Sequence, residues 1–130
     1  MVSNDKYDIQ NILSQYFGYK SFRPLQEDII RSVLWRKDTL ALLPTGGGKS
    51  ICYQIPALAM EGVCLVVSPL IALMKDQVET LKKKGVEAEA VFSGMSSYQI
   101  EKIFDDAAYG NLKFLYLSPE RLITSSFRDR

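Results

Sequence analysis

Eight consecutive residues, Leu43-Pro44-Thr45-Gly46-Gly47-Gly48-Lys49-Ser50, constrain this chain more than any other feature. They have the composition of a phosphate-binding loop. The apolar run before them, residues 39–43, reads as a buried strand, and residues 50–58 read as an opening helix. A strand, a glycine turn and a helix start together make an anion cradle. Backbone N–H groups point inward, and the helix N-terminus adds roughly half a positive charge. In such a cradle Thr45, Gly46, Gly47 and Gly48 line the phosphates, Lys49 reaches the β- and γ-phosphates, and the Ser50 hydroxyl ligates Mg²⁺. Side chains at the three glycines would block the backbone from the phosphates, and some of these positions need positive φ. Leu43 stands where the general pattern G-x-x-x-x-G-K-[ST] has its first glycine. A plain glycine turn is the bland alternative, and the Lys-Ser pair with its apolar flanks argues against it.

Composition narrows the class further. At 130 residues the chain is one domain or a piece of one. No run approaches the ~20 apolar residues of a membrane span. The polar start, Met1-Val2-Ser3-Asn4-Asp5-Lys6, lacks the pattern of a secretory leader, so the cytoplasm is the expected compartment and no membrane is expected as partner. Cys52 and Cys64 have no metal-ligand spacing and read as small packed residues. Histidine is absent, which excludes Ser-His-Asp and Cys-His catalysis and any His-ligated metal. A net charge of +1 argues against binding nucleic acid through bulk positive charge but leaves a local site open. Lys82-Lys83-Lys84, just before Gly85, is explained by a helix C-terminus with a glycine cap, ahead of the alternative of a nucleic-acid patch.

Periodicity orders the rest. Residues 7–17 predict a helix with Ile9, Ile12, Leu13, Tyr16 and Phe17 on one face, ended by Gly18. Pro24 suits the first turn of a second helix reaching Trp35, with Ile29, Ile30, Val33 and Leu34 inward. After the loop helix, residues 63–67 predict a buried strand. Residues 70–84 predict a helix with the stripe Leu70, Leu73, Met74, Val78 and Leu81. Residues 86–92 read as a strand with one wet face because of Glu87 and Glu89. Residues 97–109 read as a helix carrying Ile100, Ile103, Phe104 and Ala107, and residues 114–117 as a strand. A last helix starts at Pro119. Strands alternating with helices imply an α/β fold, a mainly parallel sheet with helices on both faces, preceded by two N-terminal helices.

Two junctions, Val67-Ser68-Pro69-Leu70 and Leu117-Ser118-Pro119-Glu120, run strand, Ser-Pro, helix. Serine as N-cap and proline at N1 is sufficient structural reason for both. In a parallel sheet every strand-to-helix loop also emerges at one edge, where ligands bind. The phosphate loop, Ser68-Pro69, Ser93-Gly94 and Ser118-Pro119 are thus expected on one rim. One of these sites would hold a nucleotide, and the others either cap helices or follow a nucleic-acid backbone.

The stretch Leu13-Ser14-Gln15-Tyr16-Phe17-Gly18-Tyr19-Lys20-Ser21-Phe22-Arg23-Pro24-Leu25-Gln26 resembles the motif preceding the phosphate loop in RecQ helicases. Pro44-Thr45-Gly46-Gly47-Gly48-Lys49-Ser50-Ile51-Cys52-Tyr53-Gln54-Ile55-Pro56-Ala57 is similar to motif I of that family. Val67-Ser68-Pro69-Leu70-Ile71-Ala72-Leu73-Met74-Lys75-Asp76-Gln77-Val78 is similar to its motif Ia, and Tyr116-Leu117-Ser118-Pro119-Glu120-Arg121-Leu122 to a later DNA-side motif. The resemblance implies a partial RecA-like P-loop domain that takes ATP and Mg²⁺. Residues 1–36 would carry the adenine-recognition motif, and residues 37–130 an incomplete ATP-binding domain. It implies that Gln26 contacts adenine N6 and N7, with Tyr19 and Arg23 against the adenine ring. Without the resemblance, Gln26 reads as an exposed helix residue and Tyr19 as a surface aromatic. It also implies contacts to single-stranded DNA phosphates, for which Ser68, Lys75 and Arg121 have suitable chemistry. Taken alone, Lys75 is a solvated helix residue and Arg121 a first-turn surface charge.

The family hydrolyses ATP with an Asp-Glu-x-His run at a strand end, and the sequence has none. Asp105-Asp106 falls on a helix, and Ser118 occupies the aspartate's place after residues 114–117. The expectation is an N-terminal part of the first motor domain of a 3′-to-5′ DNA helicase acting on single-stranded and duplex DNA in repair and recombination. In a bacterium it would be nucleoid-associated. A second motor domain, an arginine finger and a zinc-binding region would lie elsewhere, with no zinc site within these residues. The chain by itself is expected to bind nucleotide at most. An absent neighbouring strand would leave an open sheet edge and favour self-association. Two alternatives remain: a small-molecule P-loop kinase, in which Gln26 and the Ser-Pro rims have no role, and a nucleotide-binding module without turnover.

Overall fold

A short capped helix opens the structure, a computed structural model that describes residues 8–43 and 48–123. Asp8 accepts the Asn11 backbone N–H at 3.0 Å and so caps α1 (Ile9–Ile12). The helix widens into a π-helical turn, Leu13–Phe17, and Gly18 ends it in the left-handed region at φ 74°. Ile9 and Leu13 are buried, as the apolar spacing requires.

Pro24 does not enter the second helix. Leu25 takes φ 72°, and the Gln26 N–H donates to the Arg23 carbonyl at 3.1 Å, which closes a type II turn over Pro24-Leu25. Proline fits the second position of such a turn as well as it fits a helix start, so α2 begins two residues later, Gln26–Leu34. A leucine at positive φ is uncommon and strained.

The strand expected at residues 39–43 is absent. The run has no regular structure, and Leu40 and Leu42 are 85% and 78% exposed. A strand is held by the ladder beside it, and among the described residues this run has none. After Gly48, at φ 79°, α3 runs Lys49–Ala59. Ile30 and Leu34 of α2, Ile51 and Ile55 of α3, and Ile9 and Leu13 form one core. These helices make up one compact unit, ending at Glu61; a second begins at Gly62.

The second unit contains β1 (Cys64–Val67), α4 (Ile71–Lys83), β2 (Ala88–Val91), α5 (Ser97–Tyr109) and β3 (Phe114–Leu117). The strands form a parallel sheet in the order β1-β3-β2, with Val67 and Val91 both level with Leu117. The chain crosses from β1 over to β2 and then steps back to β3. Right-handed crossovers in opposite directions put their helices on opposite faces. Accordingly Leu115, Leu117 and Val91 pack with Ile100 and Phe104 of α5. Phe114 and Tyr116, on the other parity of β3, are buried too, and α4 buries Met74, Val78 and Leu81 against β2 and β3.

Several boundaries differ from the sequence reading. β1 is an edge strand with Leu65 and Val67 about half exposed, where a buried strand was expected. Leu70 and Leu73 are also exposed, and α4 starts at Ile71, with Ser68 and Pro69 before it. A 3₁₀ turn, Pro119–Ile123, replaces the expected last helix. At the end of α4 the Val86 N–H donates to Leu81 and the Gly85 N–H to Lys82, each at 3.0 Å, a Schellman cap. Lys82 meets Glu89 at 3.4 Å, so this lysine run ends a helix as expected. α5 has a full capping box between Ser96 and Gln99. No helix of the described residues is long and apolar enough to cross a membrane.

Candidate functional site

The first group lies in the helical unit. Gln26, the first residue of α2, is 2% exposed. Its Oε1 accepts the Arg23 backbone N–H at 2.7 Å, and its Nε2 donates to the Gly48 carbonyl at 3.2 Å. The type II turn makes this possible, since it folds the chain back between Arg23 and Gln26. Gly48 is doubly committed to glycine. Its φ is positive, and an added Cβ would collide with Gln26 Nε2. A residue read as exposed is thus buried and fastened to the phosphate loop from 22 positions away.

Lys49 and Ser50 form the first turn of α3, Lys49 exposed and Ser50 half-buried. The helix N-terminus, the lysine and the hydroxyl therefore emerge together beside Gly48. That set suits a phosphate chain, and the hydroxyl can donate one oxygen to a cation held by those phosphates. Thr45, Gly46 and Gly47 lie outside the described residues. Tyr19 is 52% exposed in the loop after Gly18, and the Gln10 amide donates to the neighbouring Lys20 carbonyl. The structure brings Arg23, Gln26, Gly48, Lys49 and Ser50 together. Tyr19 makes no hydrogen bond or ring contact with them among the described residues. Among the described residues no three His, Cys, Asp or Glu side chains are grouped for a metal ion.

The second group lies at the carboxyl edge of the sheet. The Ser68 N–H donates to the Leu117 carbonyl at 3.1 Å, and the Ser118 N–H to that of Val91 at 3.3 Å. The ladder thus runs one residue past the strands and sets Ser68, Ser118 and Phe92 side by side. Ser68 does not cap α4; its Oγ accepts the Leu70 N–H at 3.1 Å in a local turn. Ser118, at the end of the central strand, is 3% exposed, and its Oγ makes no hydrogen bond. Glu120 has a carboxyl held below the usual range, first by its own backbone N–H. The Ser118 hydroxyl helps from a position short of hydrogen-bond geometry.

Lys75 and Arg121, candidates from separate motifs, both reach Phe92. Lys75 Nζ lies 4.6 Å from the centre of its ring, and Arg121 Nη2 donates to its carbonyl at 3.4 Å. Three of the four expected rim loops therefore share one edge; the phosphate loop belongs to the other unit. Neither Ser-Pro junction opens an α-helix directly, so helix dipoles are a lesser part of this rim than the sequence suggested. Phe92 was missed in the sequence. Its position just before Ser93-Gly94, at the end of a predicted strand, was the available signal.

Comparison with known proteins gives the family. The DEAD/DEAH box helicase family matches residues 23–130. The chain is 48% identical over 117 residues to the ATP-dependent DNA helicase RecQ of Pasteurella multocida, which covers 90% of this chain and 18% of that protein. It is 50% identical over 114 residues to a probable ATP-dependent DNA helicase RecS of Bacillus subtilis, 88% of this chain and 23% of that protein. Over 119 residues it is 38% identical to the rat ATP-dependent DNA helicase Q1, 90% of this chain and 19% of that protein. The chain thus spans about a fifth of the length of these relatives.

Proposed function

Because the chain belongs to the DEAD/DEAH box helicase family, we propose that it is the ATP-binding part of a RecQ-like, ATP-dependent DNA helicase. Residues 1–36 supply adenine recognition and residues 37–130 part of the motor domain. The observation that carries this reading is the hydrogen bond from Gln26 to Gly48, which joins the base-reading motif to the phosphate loop. The Gln26 amide has the acceptor and donor matched to adenine N6 and N7, and Arg23 and Gly48 hold one site on each. The base therefore takes the remaining lone pair and N–H once the buried amide is uncovered, with Tyr19 and Arg23 against the ring. Guanine presents two acceptors on the same edge and would set O6 against Oε1. Lys49 holds the β- and γ-phosphates, with Thr45 and the glycines around them. Mg²⁺, held by those phosphates and Ser50, would neutralise their charge.

Ser68, Lys75 and Arg121 contact the phosphates of single-stranded DNA in this reading, and their convergence at one sheet edge supports it. The open edge of β1, with Leu65 and Val67 half exposed, supports self-association or cover by a further strand. The sequence holds no Asp-Glu-x-His run, so this chain by itself binds nucleotide without appreciable turnover. The kinase alternative has nothing in its favour once the family is a helicase one, and for the whole protein a nucleotide-binding module without turnover is not favoured either.

The test is titration with a fluorescent ATP analogue and Mg²⁺, with ATP and GTP as competitors. ATP is expected to displace the analogue at least about tenfold better than GTP. Lys49→Ala is expected to weaken binding about 10- to 100-fold, the worth of a charged hydrogen bond. Equal displacement by both nucleotides removes the adenine assignment. An analogue affinity unchanged in Lys49→Ala, or ATP turnover well above that of Lys49→Ala, removes the phosphate assignment or the lack of turnover respectively.

A further inference from the structure

Phe92 is half-buried, one residue past the end of β2, and three elements meet on it. From α4 comes the Lys75 ammonium, 4.6 Å from the ring centre. From the 3₁₀ turn comes Arg121, whose Nη2 donates to the Phe92 carbonyl at 3.4 Å. The Phe92 N–H in turn donates to Met95 Sδ at 3.4 Å, which ties the residue to the following turn. Among the described residues no carboxylate pairs with Lys75, so the ring is the contact that orients its charge. Level with Phe92 on the neighbouring strand sits the Ser118 hydroxyl, buried and without a hydrogen bond.

We propose that Phe92 is a positioning residue for nucleic-acid binding: its ring and carbonyl hold the Lys75 and Arg121 cations at the carboxyl edge of the sheet for the phosphates of a single strand. The inference rests on the phosphate role given to Lys75 and Arg121 above. A lysine on a helix surface samples many rotamers, and ordering it on binding costs affinity. A ring face attracts the ammonium through its quadrupole without neutralising it, as a carboxylate would. The charge stays available to a phosphate, and part of the ordering is done beforehand. Arg121 is held through a backbone carbonyl, which survives any substitution of the side chain. Changing the ring therefore reports on Lys75 alone.

The experiment measures anisotropy of a labelled single-stranded oligonucleotide with the full chain at one fixed low salt concentration. Lys75→Met is expected to weaken binding about five- to tenfold, and Phe92→Leu, which fills similar space without a quadrupole, about two- to fivefold. Phe92→Tyr keeps the ring face and should bind like the unsubstituted protein. In a Lys75→Met background Phe92→Leu should have no further effect, because it acts through Lys75. Phe92→Leu binding as well as the unsubstituted protein overturns the inference. So does an equal loss from Phe92→Leu with and without Lys75, or Phe92→Tyr as weak as Phe92→Leu. No binding by the unsubstituted chain, or binding that Lys75→Met leaves unchanged, removes the underlying phosphate assignment and the inference with it. Should Phe92→Leu fail to fold, the unsubstituted protein still decides. An upfield ring-current shift of the Lys75 ε-methylene protons is expected in its NMR spectrum, and an ordinary lysine shift overturns the proposal.

Discussion

Residues 39–43 and the strand Phe114–Leu117 are both short apolar runs directly before a loop, and they end in opposite states. β3 lies between β1 and β2, and all of its residues are buried. Residues 39–43 have no ladder, and Leu40 and Leu42 stand largely in solvent. Their hydropathy does not explain the difference; their neighbours do. The backbone N–H and C=O groups of β3 find partners on two sides, so burying them carries no penalty. Without such partners an apolar run keeps its backbone in water and exposes its side chains as a consequence. The two Ser-Pro junctions repeat the lesson. Ser118 follows the central strand and is buried, while Ser68 follows an edge strand and keeps a local hydrogen bond.

The largest effect that tests this contrast is a pair of truncations followed by chemical denaturation. Leu115→Ala should cost about 2–5 kcal/mol, as for a buried leucine, and Leu42→Ala should stay within about 0.5 kcal/mol. A comparable loss from both would break the comparison, since residues 39–43 would then be packed in solution.

A smaller effect is expected within the helical unit. Gly48→Ala forces a side chain into the left-handed region and against Gln26 Nε2, and should cost about 1–3 kcal/mol. Combined with Gln26→Ala, the loss should be less than the sum, because the collision is gone. Additive losses in thermal or denaturant unfolding would mean that Gln26 and Gly48 do not touch.

The smallest effect compares the two cysteines. Burial pushes the Cys52 thiol up, and burial likewise pushes Cys64 up, with Lys113 pulling it partly back. Alkylation should be slow at neutral pH and quicken as pH rises beyond the ordinary thiol range, with half-buried Cys64 ahead of buried Cys52. The unfolded thiols ionise first, so their contribution to stability is intact below the ordinary thiol value and declines as pH rises above it. Peptide mass mapping checks the order, and Cys52 reacting first would contradict its burial.

Local patterns made much of this legible. Residues 97–109 form α5 and residues 114–117 form β3 with the predicted bounds, because helical spacing and a four-residue apolar run leave little choice. The lysine run before Gly85 and the stop at Gly18 follow from local backbone rules in the same way. The alternation of strands and helices also sufficed for the parallel sheet. The candidate site was legible as residue types: Lys49 and Ser50 opening a helix, Gln26 in the first turn of another, and two serines at strand ends.

Contacts between distant residues were not legible. Pro24 served a type II turn instead of a helix start, since both require the same φ of proline. That turn is what points Gln26 at Gly48. Nor could any pattern reveal that Lys75 and Arg121, 46 positions apart in the chain, share Phe92. Sequence by itself determined the local geometry of this protein and the chemistry each segment carries, because capping, periodicity and turn preferences act over a few residues. Tertiary structure alone decided which apolar run became a strand and which side chains were buried. It also decided which cations met, because those outcomes depend on partners that only the folded chain brings within a few ångströms.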